Sequence, residues 1–155
     1  MKVSSQNLAN YWSMMLTQVL AGKGVCKWVN DKTPGTTDPL VLTDATLYYN
    51  LVAGELVVIS CLLYGVSSAS DSCHFEFGYT SAVAGGGDFT AVTPHFEATT
   101  GTVMSERTLQ DMSPGTPLVI RYADGARSIS VRVTANDNTC VVGCGFQGYR
   151  MFDPG

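Results

Sequence analysis

Two consecutive segments, residues 55–64 and 73–79, carry the patterns of β-strands and constrain the fold more than any other feature. The first, ELVVISCLLY, is apolar on both alternating faces, which is typical of a strand covered on both sides. The second, CHFEFGY, alternates apolar and polar residues, which is typical of a half-exposed strand. Further short strand-like segments are separated by clusters of Gly, Pro, Asn and Asp, with no alternating helices. This succession predicts an all-β protein, an antiparallel β-sandwich of jelly-roll type.

A turn signal lies in the segment PLVIRYADGARSISVRV. Asp124 and Gly125 suit a two-residue hairpin turn because both central positions of such a turn take positive φ angles. With that turn, Ile120 faces Ile129 on one side of the sheet. The sequence therefore predicts a hairpin between two neighbouring strands.

The chain begins with apolar residues at helical spacing, which stop at Gly22. This pattern predicts a short N-terminal helix from about Gln6 to Ala21. The following loop DKTPGTTDP holds two prolines and a glycine, so we expect it to be extended. We divide the single globular unit into the helix and a first extended segment (1–30), a Pro/Gly linker loop (31–39) and the β-sandwich domain (40–155).

The composition favours packing against other proteins over binding nucleic acid. Charged residues make up 14% of the chain and hydrophobic residues 45%, so much of the surface consists of Ser, Thr, Gly and other neutral residues. The net charge is −4, and the lysines all lie in the first 32 residues, so no basic stripe is available for phosphates. No stretch approaches a membrane span in length. We therefore expect neither nucleic acid nor a membrane among the partners.

Both histidines occur in the tripeptide His-Phe-Glu, and this repetition marks a candidate metal site. If the AGGG at residues 84–87 is a hairpin tip, His74 faces Glu97 and Glu76 faces His95 on one side of a sheet. Two histidines and two glutamates are ligands that zinc or iron accept. Opposite charges across two strands are also ordinary in sheets, and a subunit contact is a third interpretation. We favour structural pairing and assign no metal and no cofactor, so the four residues remain candidates only.

The sequence has no catalytic signature. It contains no Gly-x-Ser-x-Gly elbow, no phosphate-binding loop and no dinucleotide fingerprint. A pair of carboxylates for glycoside hydrolysis cannot be chosen from spacing alone. We therefore expect a protein that is not an enzyme and has no catalytic residues.

The closing segment NTCVVGCGFQGYRMF contains two cysteines four positions apart. On a strand, Cys140 and Cys144 point to the same face and lie about 13 Å apart, from four residues at roughly 3.3 Å each. This distance exceeds the ~7 Å between Cα atoms that a disulfide spans, and it is too long for both thiolates to bind one zinc ion. We therefore expect both side chains to pack in the core. Gly143 and Gly145 leave the opposite face bare for another backbone or subunit, and Gly148 indicates a β-bulge.

Three features follow one another along the chain: a short leading helix, a Pro/Gly linker, and a low-charge, Thr- and Gly-rich β domain that ends in SISVRVTANDNTCVVGCGFQGYRMF. Together they resemble the small virion proteins of tailed bacteriophages, in particular the capsid decoration or cement proteins. The resemblance implies a homo-oligomer, with a trimer favoured, that is made in the host cytoplasm and seated on the outer surface of the virion. Its partner there is the lattice of the major capsid protein, which it stabilises by its binding free energy.

Two segments offer candidate contacts with such a shell. The helix carries aromatic and methionine side chains of the kind enriched in interface cores, and the linker loop can lie across a neighbour as an extended arm. The helix candidates are Leu8, Tyr11, Trp12, Met15 and Leu16, and the loop candidates are Pro34, Gly35 and Pro39.

A second function stays open, that of a carbohydrate- or receptor-binding β-sandwich module of a phage fibre or spike. Such modules bind sugars through exposed aromatic side chains on one sheet face. We expect most of the available aromatic side chains in the core or in an interface, so this function ranks second. They are Trp28, Tyr48, Tyr49, Tyr64, Tyr79 and Tyr149.

Overall fold

The computed structural model describes residues 23–66, 72–99, 108–111, 118–153 and 155, and for residues 108–111 it describes the backbone. The predicted N-terminal helix, with its five candidate contact residues, lies outside these ranges. The protein is all-β, since the only helical segment in the described ranges is a 3-10 turn at Tyr122–Asp124. No helix in those ranges is long and apolar enough to cross a membrane.

The strands of the described ranges form two antiparallel sheets. In chain order they are β1 (Gly24–Lys32), β2 (Leu40–Val41), β3 (Tyr49–Asn50), β4 (Glu55–Val66), β5 (Cys73–Thr80), β6 (Phe89–Ala91), β7 (Phe96–Ala98), β8 (Thr108–Asp111), β9 (Leu118–Arg121), β10 (Ser128–Ala135) and β11 (Val142–Phe152). Sheet A has the order β1-β11-β4-β8, and β9 lies beside β8 on the same edge of β4. Sheet B has the order β2-β10-β5-β6, with β3 also on β10 and β7 also on β5.

β4 is the central strand of sheet A, and both of its edges are paired. Val57 and Ile59 point into the core between the sheets, whereas Leu56 and Val58 point to the other side and are also buried. The prediction of a strand covered on both sides is confirmed for this part of β4.

A β-bulge interrupts the pairing of β4 with β11. Gln147 pairs with Cys61 and Gly148 pairs with Ile59, so Ser60 is the extra residue. A Cβ at position 148 would collide with the carbonyl oxygen of Val58, so only glycine fits this approach. The bulge predicted at Gly148 is confirmed.

β5 and β10 are the central pair of sheet B and are in register over all eight residues of each strand. Phe75 and Phe77 point into the core, whereas His74 and Glu76 point outward. β5 is therefore the half-exposed strand that its alternating sequence predicts.

The core between the sheets contains a group of aromatic rings. Tyr64 of sheet A contacts Phe75 and Phe96 of sheet B, with ring centroids 5.6 Å and 5.1 Å apart. Phe75 and Phe146 are among the largest side chains that are fully buried. These contacts hold the two sheets together because each ring removes a large apolar area from water.

The predicted hairpin at Asp124 and Gly125 is wrong. β9 pairs with β4 in sheet A, and β10 pairs with β5 in sheet B, so the segment between them crosses from one sheet to the other. Gly125 has a φ of 91°, but it ends the 3-10 turn. Ile120 and Ile129 both point into the core, from opposite sheets, and therefore share the inward direction without being neighbours across a hairpin.

The first described strand belongs to the sandwich. β1 pairs with β11 at an edge of sheet A, and Val25 is buried in the core. The sandwich thus includes residues that precede the linker loop. From β1 the loop at residues 33–39 carries the chain across to β2 in sheet B.

Candidate functional site

The exposed large hydrophobic side chains of the described ranges lie together at one end of the sandwich. They are Val52, Val83 and Phe152, with 64%, 58% and 76% of their surfaces exposed. Val52 lies between β3 and β4, Val83 between β5 and β6, and Phe152 at the end of β11. We call this end of the molecule, with its three apolar side chains, the loop end.

Contacts join the segments that carry these side chains. The Asn50 side chain accepts a hydrogen bond of 2.8 Å from the amide of Ala84, which joins the loop of Val52 to the loop of Val83. A Cβ at Gly54 would lie 3.4 Å from the Phe152 ring, and Asp153 donates a backbone hydrogen bond of 2.8 Å to the Gly54 carbonyl. The loop of Val52 therefore contacts both of the other two segments.

The buried carboxylate of Glu55 holds the loop of Val52 in place through hydrogen bonds. Glu55 accepts a hydrogen bond of 2.8 Å from the Tyr49 hydroxyl and one of 3.0 Å from the Val52 amide. Burial, followed by the hydrogen bond to Glu55, raises the pKa of the Tyr49 hydroxyl, so that hydroxyl stays protonated as a donor. A buried carboxylate that accepts two hydrogen bonds holds the loop in one conformation.

Beside this loop lies a cavity of about 230 Å³, and Lys23, Arg150 and Phe152 are among its lining residues. The neighbouring connection from β9 to β10 is held by Arg127, whose guanidinium lies 3.8 Å from the centroid of the Tyr122 ring. Arg127 also donates a hydrogen bond of 3.0 Å to the Tyr122 carbonyl. The loop end thus carries exposed apolar side chains on loops that are held in place by hydrogen bonds.

The His-Phe-Glu tripeptides meet on the outer face of sheet B. His74 pairs with Glu97 and Phe75 with Phe96, which is the predicted register. His74 and His95 stack with their ring centroids 5.0 Å apart. Glu76 is held by Arg132, whose Nε donates a hydrogen bond of 2.6 Å.

These contacts are cross-strand pairs, the interpretation that we favoured over a metal site. Arg132 occupies a carboxylate oxygen of Glu76, and the two imidazoles are parallel instead of converging on one point. No group of three or more His, Cys, Asp or Glu side chains that could hold a metal ion occurs in the described part of the chain. The contacts on this face can therefore stabilise the pairing of β5 with its neighbouring strands.

We predict that Glu76→Gln lowers the free energy of unfolding by about 0.2–1 kcal/mol at pH 7, as for a partly exposed ion pair. The hydrogen bond from Arg132 is the main cause that lowers the pKa of Glu76, and the charges of Arg132, His95 and His74 act in the same direction. A carboxyl with a lowered pKa stabilises the fold above its unfolded pKa, and this contribution is lost as the pH falls through the folded pKa. Urea unfolding of both proteins at pH 7 and at lower pH measures the difference.

The matched control is Glu97→Gln, whose carboxylate lies 3.9 Å from His74 and is about half exposed. We expect this variant to differ from the wild type by less than Glu76→Gln. A stability difference for Glu76→Gln that is absent at pH 7, or that persists at a pH below both the folded and the unfolded pKa of Glu76, would contradict the assignment.

The two cysteines of the closing segment are both buried in the core, as predicted. Burial, followed by the charge of Asp44, raises the pKa of the Cys144 thiol, which keeps it a neutral apolar group. Gly145 is closely approached by another backbone, which is that of β1 in the same chain: a Cβ there would collide with the Lys27 carbonyl and lie 2.9 Å from the Trp28 ring. The face beside Gly145 is therefore covered in part by the protein's own first strand.

The candidate residues of the linker loop lie at a distance from the loop end. Pro34 is half-buried, and Gly35 and Pro39 are exposed. Their loop follows Lys32, which pairs with Val142 at the start of β11, whereas Phe152 lies at the end of that strand. The structure thus separates the linker candidates from the exposed apolar side chains.

The aromatic side chains that we considered for sugar binding do not form one exposed platform. Tyr64 is 6% exposed and is stacked on Phe96, and Tyr79 packs against the core. Tyr49 is bonded to Glu55. Burial raises the pKa of the Tyr64 hydroxyl, in agreement with its place between the sheets.

Sequence reasoning missed the loop end. A signal was available, since Val52, Val83 and Phe152 are apolar residues close to Gly- and Ala-rich turns or to the end of the sequence. Turn residues are usually polar, so an apolar side chain in a turn is a candidate for contact with a partner. What the sequence does not give is that these segments meet at one end.

No protein-family model matches the sequence, and no curated protein matches it. The chain is similar to a chain in the structure of infectious bursal disease virus Gx strain, with 11% identity and a TM-score of 0.44 over 85% of this chain and 32% of that chain. It thus spans about a third of the length of that viral chain. It is also similar to a chain from the disulfide-linked pili of Bacillus endospore appendages, with 13% identity and a TM-score of 0.40 over 84% and 85% of the two chains. A third likeness is to the extra small virus (XSV) VLP of the giant freshwater prawn Macrobrachium rosenbergii, with 9% identity and a TM-score of 0.35 over 82% and 77%.

Proposed function

We propose that this protein is a non-enzymatic structural protein of a virion, which binds the outside of a phage capsid as a decoration or cement protein. The observation that carries the proposal is the apolar surface of the loop end. Single exposed apolar side chains are normal, whereas a group of them on adjoining segments indicates a site of protein contact. Val52, Val83 and Phe152 form such a group.

The anchoring of these loops supports the same proposal. A surface that is already ordered loses little conformational entropy when it binds, so more of its contact energy appears as affinity. The hydrogen bonds that Tyr49 and Val52 donate to Glu55, and the one that the Ala84 amide donates to Asn50, provide that order. Burying the Phe152 side chain in a partner contributes about 1.5–3 kcal/mol.

The partner that we propose is the lattice of the major capsid protein. A protein that binds only the assembled lattice stabilises it by its binding free energy. We propose further that the protein is a homo-oligomer, with a trimer favoured, because several linked copies add avidity on a repeating surface. Its synthesis takes place in the host cytoplasm, and neither nucleic acid, a membrane nor a cofactor is required for this role.

We also propose that the two sheets are a jelly roll, which is the fold expected from the resemblance. The pairing of strands supports it if the interrupted pairs β2/β3, β6/β7 and β8/β9 each count as one strand. Eight strands then remain, and they pair from the outside of the sequence inward. The first strand, β1, pairs with the last, β11, and the second, β2/β3, pairs with the last but one, β10. In the same way β4 pairs with β8/β9, and β5 pairs with β6/β7. This nested pairing is what rolling up one long hairpin produces.

The test is a binding assay with expanded capsids that lack this protein. We expect the variant with Val52→Ser and Phe152→Ser to bind these capsids about tenfold more weakly or worse, because roughly 1.4 kcal/mol of lost burial corresponds to a factor of ten. Cosedimentation measures the affinity, and the temperature at which the capsids open measures their stabilisation. Circular dichroism of the free variant shows that it is folded.

Asn138→Ser is the control, since Asn138 is exposed in the turn between β10 and β11, at the opposite end of β11 from Phe152. It should bind as the wild type does. Equal binding by the wild type and the loop-end variant would refute the proposal, as would failure of the wild type to bind. Binding to saccharides on a glycan array, without binding to capsids, would instead support the carbohydrate-binding module.

A further inference from the structure

The cavity beside the loop of Val52 brings apolar and positively charged side chains together. It has a volume of about 230 Å³, and its lining includes Lys23, Val52, Glu55, Arg150 and Phe152. Val52 and Phe152 are two of the three exposed apolar side chains of the loop end. We call this space the end cavity. It belongs to the loop end, and its two cations distinguish it from a purely apolar surface.

The two cations of the end cavity come from adjacent segments of sheet A. The amide of Arg150, in β11, donates a hydrogen bond of 3.1 Å to the carbonyl of Lys23, which directly precedes β1. Both residues are exposed. Lys32, Arg121 and Arg132 each have a carboxylate oxygen within 4.0 Å. Neither cation of the end cavity has such a partner among the described residues, so both can bind a carboxylate from outside.

The pairing of the strands determines the direction of the Arg150 side chain. Arg150 pairs with Val57, whose side chain points into the core, and directly paired residues share a face of the sheet. Burial raises the pKa of the Tyr49 hydroxyl, the hydrogen bond to Glu55 raises it further, and a hydrogen bond to Arg150 lowers it. The guanidinium therefore lies beside Tyr49, on the side of sheet A that faces sheet B.

Glu55 offsets only one of the two positive charges. Its Oε1 atom accepts a hydrogen bond from the Tyr49 hydroxyl and its Oε2 atom accepts one from the Val52 amide, so both oxygens are engaged. The lining of the end cavity thus has two positive charges against one negative charge, in a chain whose net charge is −4. A local excess of positive charge on an acidic protein favours an occupant that carries a negative charge.

The size and the apolar lining of the end cavity favour a protein side chain as the occupant. Sites for small molecules usually have volumes of about 300–1,000 Å³, and the end cavity is smaller. A carboxylate accepts charge-assisted hydrogen bonds from Arg and Lys. Val52 and Phe152 line the same cavity and offer apolar surface to the residues that flank such a carboxylate.

We propose that the end cavity binds an acidic side chain of a partner protein, in a segment whose neighbouring apolar residue packs on Phe152. Lys23 and Arg150 hold the carboxylate, and Val52 and Phe152 contact the apolar residue beside it. The identity of the partner rests on the proposed function, in which the segment belongs to the major capsid protein. The end cavity then adds a charge requirement to the apolar contact of the loop end, and salt weakens the binding.

Titration of the full chain with two blocked tripeptides, followed by NMR, tests the site without a capsid. The probes are acetyl-Leu-Glu-Leu-amide and acetyl-Leu-Gln-Leu-amide, which differ in the charge of the central residue. At low salt we expect the Glu peptide to bind about fivefold more tightly than the Gln peptide, as for an exposed carboxylate that meets two cations. The amide signals of residues 53–54 and 150–152 should shift most, because these residues line the end cavity.

Two variants locate the binding of the carboxylate. In Arg150→Gln and in Lys23→Gln, the preference for the Glu peptide should fall to about twofold or less, since each loses one of the two cations. Circular dichroism shows whether each variant is folded, and Lys23→Gln keeps the test decisive if the loss of Arg150 beside Tyr49 unfolds the protein. Lys27→Gln is the matched control, because it removes a positive charge from β1 at a residue that does not line the end cavity. It should keep the full preference.

Cosedimentation of the same variants with expanded capsids separates the site from the capsid-binding role. We expect Arg150→Gln and Lys23→Gln to bind capsids about fivefold more weakly than the wild type at low salt, and Lys27→Gln to bind equally well. Wild-type protein that prefers the Glu peptide but does not bind capsids would support the acidic site and refute the capsid role. Wild-type protein that binds neither peptide, or both equally well, would overturn the site, as would a preference or a capsid affinity that neither variant reduces.

Discussion

Replacement of Phe75 by alanine is expected to lower the free energy of unfolding by about 3–5 kcal/mol. Phe75 is fully buried on β5, and its ring contacts that of Tyr64 from the opposite sheet. The substitution removes this contact between the sheets and leaves a cavity that the two sheets cannot close without moving. Urea or guanidinium unfolding, followed by circular dichroism, measures the loss.

Phe152→Ala is the control for this experiment, since it removes the same side chain at a position that is 76% exposed. We expect it to change the free energy of unfolding by no more than about 0.5 kcal/mol. The two variants together separate the contribution of the core from that of the loop end. Equal losses for both would mean that Phe75 does not lie between the sheets as described.

Gly148→Ala is expected to lower the free energy of unfolding by about 1–3 kcal/mol or more. At the β-bulge the backbone of β4 comes so close to Gly148 that an added Cβ would collide with the carbonyl oxygen of Val58 and lie 3.1 Å from the Cα of Ile59. Both contacts are with backbone atoms, which cannot rotate away as a side chain can. Either the bulge must move or the pairing of β4 with β11 must weaken.

Gly24→Ala is the matched control, since Gly24 lies in β1 on the other edge of β11 and an added Cβ would have no neighbour within 4 Å. We expect it to be neutral or to raise the stability by about 0.4–1 kcal/mol, because alanine restricts the unfolded chain more than glycine does. Thermal unfolding of the two variants side by side gives the comparison. A Gly148→Ala protein as stable as Gly24→Ala would exclude the close approach at the bulge.

The sequence predicts the strands and their inward faces because the alternation of inward and outward side chains can be recognised from a few neighbouring residues. The alternation of β5 and the doubly apolar pattern of β4 are visible within ten residues. The register of His74 with Glu97 matches the one that the AGGG tip predicts. Near that tip the pairing is shifted by a bulge, where the amides of Val92 and Thr93 both donate to the Phe77 carbonyl.

The choice of partner strand cannot be predicted from the same pattern. Ile120 and Ile129 have the same inward direction whether their strands are neighbours in one sheet or face each other across the core. The turn residues Asp124 and Gly125 favoured the first arrangement, and the pairing of β9 with β4 shows the second. β9 pairs with β4 and β10 with β5, and such pairings depend on residues that are distant in the sequence.

The loop end could not be predicted for the same reason. Val52 and Val83 are separated along the chain by β4 and β5, and the segments that carry them meet only when β3 and β5 both pair with β10 in sheet B. A local pattern describes which way a side chain points from its own strand. It does not describe which loops meet at an end of the sandwich.

Because β1 pairs with β11, this edge of sheet A can be completed only late in translation. β1 leaves the ribosome first among the described strands and β11 last, at about 5–20 residues per second. For a time on the order of ten seconds, the backbone edge of β1 that pairs with β11 has no partner strand. The nascent chain is therefore exposed to proteases and to aggregation until β11 is released, and chains with such distant pairings fold slowly even then.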